Sequence, residues 1–176
     1  MSDVWQTLEL LRSEDSITRI KAKRRIADLG SECSPATSEI ISLLEHGDVV
    51  LVDYAMIALR RIGKSSLPHL LNRLENASGD FRVRLLCVLG SINRPFDQIA
   101  GILAEALSDT DGNVRMQAAR SLTVLYFAMD ESERESHDCS FLPTVKWLLE
   151  DSQTNPETSG HWATSRLYLK QHADVA

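Results

Sequence analysis

The residue column that begins at Asp15 returns at Asp48, Ser78 and Asp111, at intervals of 33, 30 and 33 residues. Four positions on stand Arg19, Val52, Arg82 and Arg115, and seven on stand Ala22, Ala55, Leu85 and Ala118. Eleven on stand Ile26, Leu59, Leu89 and Leu122, and fourteen on stand Leu29, Ile62, Ile92 and Leu125. Offsets of seven, eleven and fourteen place these apolar residues on one stripe of an α-helix. A fixed period in this range marks stacked supersecondary units, none of which buries its apolar face alone. The column therefore predicts an all-α chain in which each unit is sealed by its neighbours.

Each period divides into two helices. The second helix opens on the column residue, with Asp15, Asp48 and Asp111 as N-cap acids, because a carboxylate there accepts from backbone N–H groups that have no partner inside the helix. Gly30 and Gly63 follow the last apolar residue of two such helices, where a left-handed C-cap is expected. Gly90 falls inside the third and is expected to permit close packing. The first helices are announced by proline: Ser34-Pro35, Ser66-Leu67-Pro68, Arg94-Pro95 and Leu142-Pro143 each precede paired aliphatic residues. An N-terminal helix over about Ser2 to Ser13 and a last one from Gly160 to His172 complete about five pairs. The polar runs Met129 to Cys139 and Asp151 to Ser159 are expected as exposed loops.

The most complete unit reads Asp-Gly-Asn-Val-Arg-Met-Gln-Ala-Ala-Arg-Ser-Leu, from Asp111 to Leu122. With its Pro-initiated, leucine-rich first helices, the chain resembles HEAT repeats in their bacterial phycobilisome-lyase-like form. The resemblance covers nearly the whole chain and is weakest in the first and last units, where capping repeats depart from consensus. It implies a single domain over 1–176: an α-solenoid of about five HEAT-like antiparallel helix pairs in a right-handed superhelix, second helices lining the concave side. The family includes scaffolds, bilin-attachment factors, glycosylase-like enzymes and metal-dependent hydroxylases, so it implies no one activity.

Composition narrows the classes. The 176 residues carry a formal charge of −6, and no apolar run approaches the length of a membrane helix. The N-terminus holds acids where an export signal holds lysines, and Cys33, Cys87 and Cys139 are few and far apart. No signal peptide, no disulfide framework and a reducing cytoplasm are expected. His46, His69, His137, His161 and His172 lie in different units, none followed by Glu, so the His-Glu pairs of HEAT-like hydroxylases are missing. His137-Asp138-Cys139 is expected to be a loop trio without a partner cluster. No nucleophile–base pair and no phosphate loop stands out, so neither enzyme activity, metal nor cofactor is expected.

Charge sign is segregated. The second helices hold thirteen basic and six acidic residues, net +7, which leaves −13 on the rest. The Asp/Arg column itself is read as structural, the Asp capping its helix and the Arg bonding a neighbouring unit's turn. Helical projection puts the non-core positions at six, nine and thirteen beyond the column residue. These hold Lys21, Arg24, Tyr54, Arg61, Arg84 and Arg120, with Ile57, Cys87, Gln117, Asp28, Ser91 and Val124. One account is a solvated helix face rich in good helix formers. The other is a basic concave groove, with Tyr54 and Ile57 as apolar contacts, that binds an acidic protein surface or peptide. An interaction module or scaffold is the expectation, a bacterial immunity-type or adaptor protein being one concrete version. The alternatives are nucleic-acid binding along the groove, which net charge and few aromatics disfavour, and a bilin-lyase-like accessory role.

Overall fold

The computed structural model describes residues 3–92, 94–137, 139–141 and 143. Among the described residues every regular element is helical. The chain divides into two compact units, Met1–Arg94 and Pro95–Ala176. The expected helix after Leu142-Pro143, the loop Asp151 to Ser159 and the terminal helix from Gly160 to His172 lie outside the described residues.

The first unit contains α1 (Asp3–Leu11), α2 (Ser16–Leu29), α3 (Thr37–His46), α4 (Val49–Ile62), α5 (Leu67–Leu74) and α6 (Gly79–Ile92). Consecutive helices pair: α1 packs on α2, α3 on α4 and α5 on α6. The pairs also pack on each other, since α4 contacts both α2 and α6, and α3 contacts α5. The column explains why. Ala22, Ile26, Ala55, Leu59, Ile62, Leu85 and Leu89 are all buried, so the predicted stripe is the inward face of α2, α4 and α6. The facing helices supply Leu8, Leu11, Ile40, Ile41, Leu44, Leu70 and Leu74, also buried. Gly90 is buried within α6.

The N-caps form as expected. Asp15 accepts from the backbone N–H of Thr18 at 2.8 Å and Ile17 at 3.4 Å, and Asp48 accepts from that of Leu51 at 2.9 Å. The C-terminal turns repeat too. Gly30 (φ 51°, ψ −119°) and Gly63 (φ 66°, ψ −136°) donate back to Ile26 and Leu59 and open the 3-10 turns Gly30–Ala36 and Gly63–Ser66. Their φ is positive as predicted, but ψ lies near −120° rather than in the left-handed helical well. That turns the chain sharply into 3-10 geometry instead of unwinding it. Each turn closes on a buried hydroxyl: Thr37 donates to Ser34 O and Ser66 to Gly63 O, both at 2.7 Å. Pro35 therefore sits in a 3-10 turn before α3, while Pro68 occupies the first turn of α5. Cys33, wholly buried in the first turn, has its thiol pKa pushed up by burial.

The second unit contains α7 (Phe96–Ala106), α8 (Gly112–Phe127) and α9 (Glu131–Ser136). Helix α7 packs on α8, burying Ile99, Leu103, Ala118, Leu122 and Leu125. Asp111 caps α8, accepting from Asn113 N at 2.8 Å. Helix α9 corrects the expected Met129 to Cys139 loop. Asp130 and Glu133 form a reciprocal capping box, with backbone-to-carboxylate distances of 2.9 and 3.1 Å. The helix has no buried residue, so apolar periodicity could not announce it.

Of the trio at His137, Asp138 lies outside the described residues, and His137 itself is not a free loop residue: its Nδ1 lies 2.7 Å from Asp97 Oδ1, and its ring packs on Phe96 at a centroid distance of 4.7 Å. With Arg134 Nε donating to Tyr126 O at 3.2 Å, this holds α9 to α7 and α8.

Candidate interaction face

Arginine among the described residues is mostly occupied. Arg19 Nη1 donates to Ser13 O and Glu14 O at 2.7 and 2.9 Å. Arg115 repeats the contact on Asp109 O and Thr110 O at 2.8 and 3.0 Å. Arg82 reaches Leu74 O at 3.1 Å. The column arginines thus close the turn before their own helix, not a neighbouring unit's turn. The carbonyls left over at a helix end are nearest to the next helix's first turn, and a guanidinium satisfies two at once. A contact between successive pairs is made instead by Arg84, whose Nη1 donates to Leu44 O at 2.9 Å. Arg12, Arg25 and Arg73 pair with Glu9, Asp3 and Glu45.

Arg134 holds Tyr126 O, and Arg94 and Arg120 are engaged too, so among the described arginines Arg24, Arg60 and Arg61 remain, exposed and without a hydrogen bond, ion pair or ring contact. All three stand on the second helices α2 and α4, which pack together. Lys23 of α2 has its Nζ 5.1 Å from the Tyr54 ring centroid on α4.

The residues expected on this face divide accordingly. Lys21, Arg24 and Arg61 are exposed, and Lys21 lies close enough to Asp15 to favour its charged form. Ile57 is half-buried. Tyr54 is corrected: only 8% exposed, its ring is closed between α4 and α2 and offers no free apolar contact. Arg84 is corrected as well, being half-buried and bonded to Leu44 rather than a free cation. Arg120 is half-buried on α8 of the second unit and engaged. Of the remaining positions, Asp28 and Val124 are exposed, Gln117 Nε2 donates to Ser121 Oγ at 3.1 Å, and Ser91 Oγ donates to Val88 O at 2.7 Å.

A depression of about 290 Å³ opens on this face, lined by Lys23 of α2, Asp53, Met56, Ile57 and Arg60 of α4, and Cys87 and Ser91 of α6. Sequence reasoning found Ile57, Cys87 and Ser91 but missed Lys23, Asp53, Met56 and Arg60. Projection of one helix centres its outward face opposite its own core stripe. Here position six is turned against neighbouring helices, Tyr54 toward α2 and Arg84 toward the end of α3, which rotates the open face toward positions five, eight and twelve. The spacing Asp53, Met56, Ile57, Arg60 is itself helical and legible once that rotation is known.

Exposed aliphatic residues cluster at the other end of the same helices: Ile17 and Ile20 on α2, Val49 and Val50 on α4. Ile17 and Val50 hold the same register position two residues beyond their caps. Across the first helices, by contrast, a depression of about 330 Å³ near Asn72 and Asn76 has its charges satisfied internally. There Arg73 pairs with Glu45 and lies over the Phe81 ring. Among the described residues no group of three His, Cys, Asp or Glu is placed to hold a metal, and no helix is long and apolar enough to cross a membrane.

Compared with protein-family models the chain finds no match, and compared with curated proteins it again finds none.

Proposed function

We propose that this chain is a non-enzymatic helical-repeat module of the HEAT type that holds an acidic protein segment on the face of its second helices. The repeated caps, glycine turns and column core of α2, α4 and α6 support the solenoid reading. The observation that carries the binding reading is the division among the arginines. Those spent on carbonyls or carboxylates are accounted for by folding; Arg24, Arg60 and Arg61 are not, and they share neighbouring helices. Long side chains left unpaired beside half-buried aliphatic groups form a surface whose field favours carboxylates. The depression beside them, about 290 Å³, is at the lower edge of the roughly 300–1,000 Å³ typical of small-molecule pockets. It suits part of a polypeptide better than an enclosed cofactor.

The test measures association of a labelled oligo-glutamate peptide across a range of ionic strength. Wild type is expected to bind faster at low salt. Arg60→Glu/Arg61→Glu is expected to slow association by about tenfold at low salt and to flatten the dependence, because steering follows the summed field. Melting should be nearly unchanged, since neither guanidinium has a partner to lose. Arg84→Glu is the contrasting variant, expected to lower stability by releasing the Leu44 carbonyl. Equal salt slopes for wild type and the double variant, or no binding by either, would overturn the proposal.

A further inference from the structure

We infer that the depression between α2, α4 and α6 is an anchor site: it takes one apolar side chain of the acidic segment, whose carboxylates lie one helical turn to a defined side. The inference rests on the acidic-partner reading above and adds to it a side-chain class and a polarity.

The floor comes from Met56 and Ile57 of α4 and Cys87 of α6, all half-buried. A thioether and a thiol beside an isoleucine make a soft apolar floor that adapts to more than one side-chain shape. Its rim is charged and unsymmetrical. Along α4 the order is Asp53, then Met56 and Ile57, then Arg60, spread over about 10 Å at 1.5 Å per residue. Lys23 reaches the rim from α2, held over Tyr54. Asp53 makes no ion pair within the described residues. Along α4 itself the rim thus reads acid, apolar, base.

A complementary segment must carry its apolar side chain over Met56 and Ile57 and its carboxylates toward Arg60, while Lys23 adds to the field from the α2 side. Acids on the opposite side would meet Asp53 and be repelled. A phosphate backbone gains from Lys23 and Arg60 but has nothing to place on the floor, and it too meets Asp53. A second copy of this chain docked by the same face would bring unpaired cations against unpaired cations. Charge complementarity therefore selects an acidic polypeptide with an apolar anchor.

The experiment uses the full chain and a matched pair of labelled acidic peptides, one with a central Leu and one with Ser in its place. Binding is measured to wild type, to Ile57→Asn and to Cys87→Phe, the first making the floor polar and the second filling it. Thermal unfolding checks that each variant is folded, and Ile57→Asn, at a half-exposed position, serves if Cys87→Phe does not fold.

Wild type is expected to prefer the Leu peptide by about tenfold, the effect of burying most of one side chain. In the variants the preference should vanish while salt-dependent binding of both peptides remains. Equal, salt-dependent binding of the Leu and Ser peptides by wild type would overturn the anchor and leave the basic face standing. Absence of binding by either peptide would overturn both. A Leu preference that survives Ile57→Asn would move the anchor elsewhere. Two further results count against the inference: a thymidine oligonucleotide binding more tightly than the Leu peptide, or sedimentation showing self-association that Ile57→Asn abolishes.

Discussion

Asp15 and Arg19 show how much of this chain's charge is spent at helix ends. The Asp15 carboxylate accepts from the Thr18 hydroxyl at 2.5 Å and from two backbone N–H groups, while Arg19 holds the two carbonyls just before it. The Thr18 hydroxyl, then the Thr18 N–H, hold the Asp15 pKa below its ordinary value, since both favour the charged form. A pKa lowered by folding contributes stability that is present above the unfolded carboxylate range and is lost as pH falls through the folded value. The difference in stability between wild type and Asp15→Asn, followed by denaturant unfolding against pH, should therefore exist at neutral pH and close in acid. A difference that stays constant into strong acid would mean that the carboxylate's charge is not what caps α2.

At the scale of the element, the turns carry as much information as the helices. Gly30 and Gly63 stand at the same place in successive helix pairs of the first unit, both with positive φ and open space where a Cβ would project. Replacing Gly63 by Ala meets no atom, yet forces an L-residue into a region it rarely adopts, so the cost is conformational rather than steric. Gly63→Ala should destabilise by about 1 kcal/mol or more, measured by chemical denaturation. Gly101, exposed on α7 with nothing near its Cβ, is the opposite case, and Ala there should stabilise by about 0.5–1 kcal/mol through helix propensity. If the two substitutions behaved alike, the turn would not depend on the backbone conformation assigned to Gly63.

In the first unit the column residues of α2, α4 and α6 are buried together with apolar residues of the facing first helices, so the strength of the core depends on neighbouring helices. Leu89 is fully buried on α6, whose faces meet α4 and α5 in the first unit. Leu89→Ala should cost about 2–5 kcal/mol, because helices fixed on two sides collapse little into the space left behind. A loss well under 1 kcal/mol in denaturant unfolding would show that the column does not seal the unit. The face that would bind a partner contributes little to this core, which is why charge reversal at Arg60 and Arg61 is expected to separate binding from stability.

The column at seven, eleven and fourteen residues, the Asp caps and the positive-φ glycines were legible in the sequence because each is a local requirement repeated at a fixed period. The helix starts, the buried stripe and the all-helical architecture follow from them. Sequence alone also separated the charges by sign. What tertiary structure decided was which cations are free. Arg84 and Arg61 look alike in a helical projection, but packing brings the Leu44 carbonyl to Arg84 and nothing to Arg61. Tyr54 was drawn inward because the flank of one second helix is the neighbour of another. Helix α9 and the His137–Asp97 contact were hidden because they depend on caps and long-range pairing rather than apolar period. Periodicity reports what one helix needs; the partner of each side chain is a property of the neighbouring helix, and only the folded chain brings the two together.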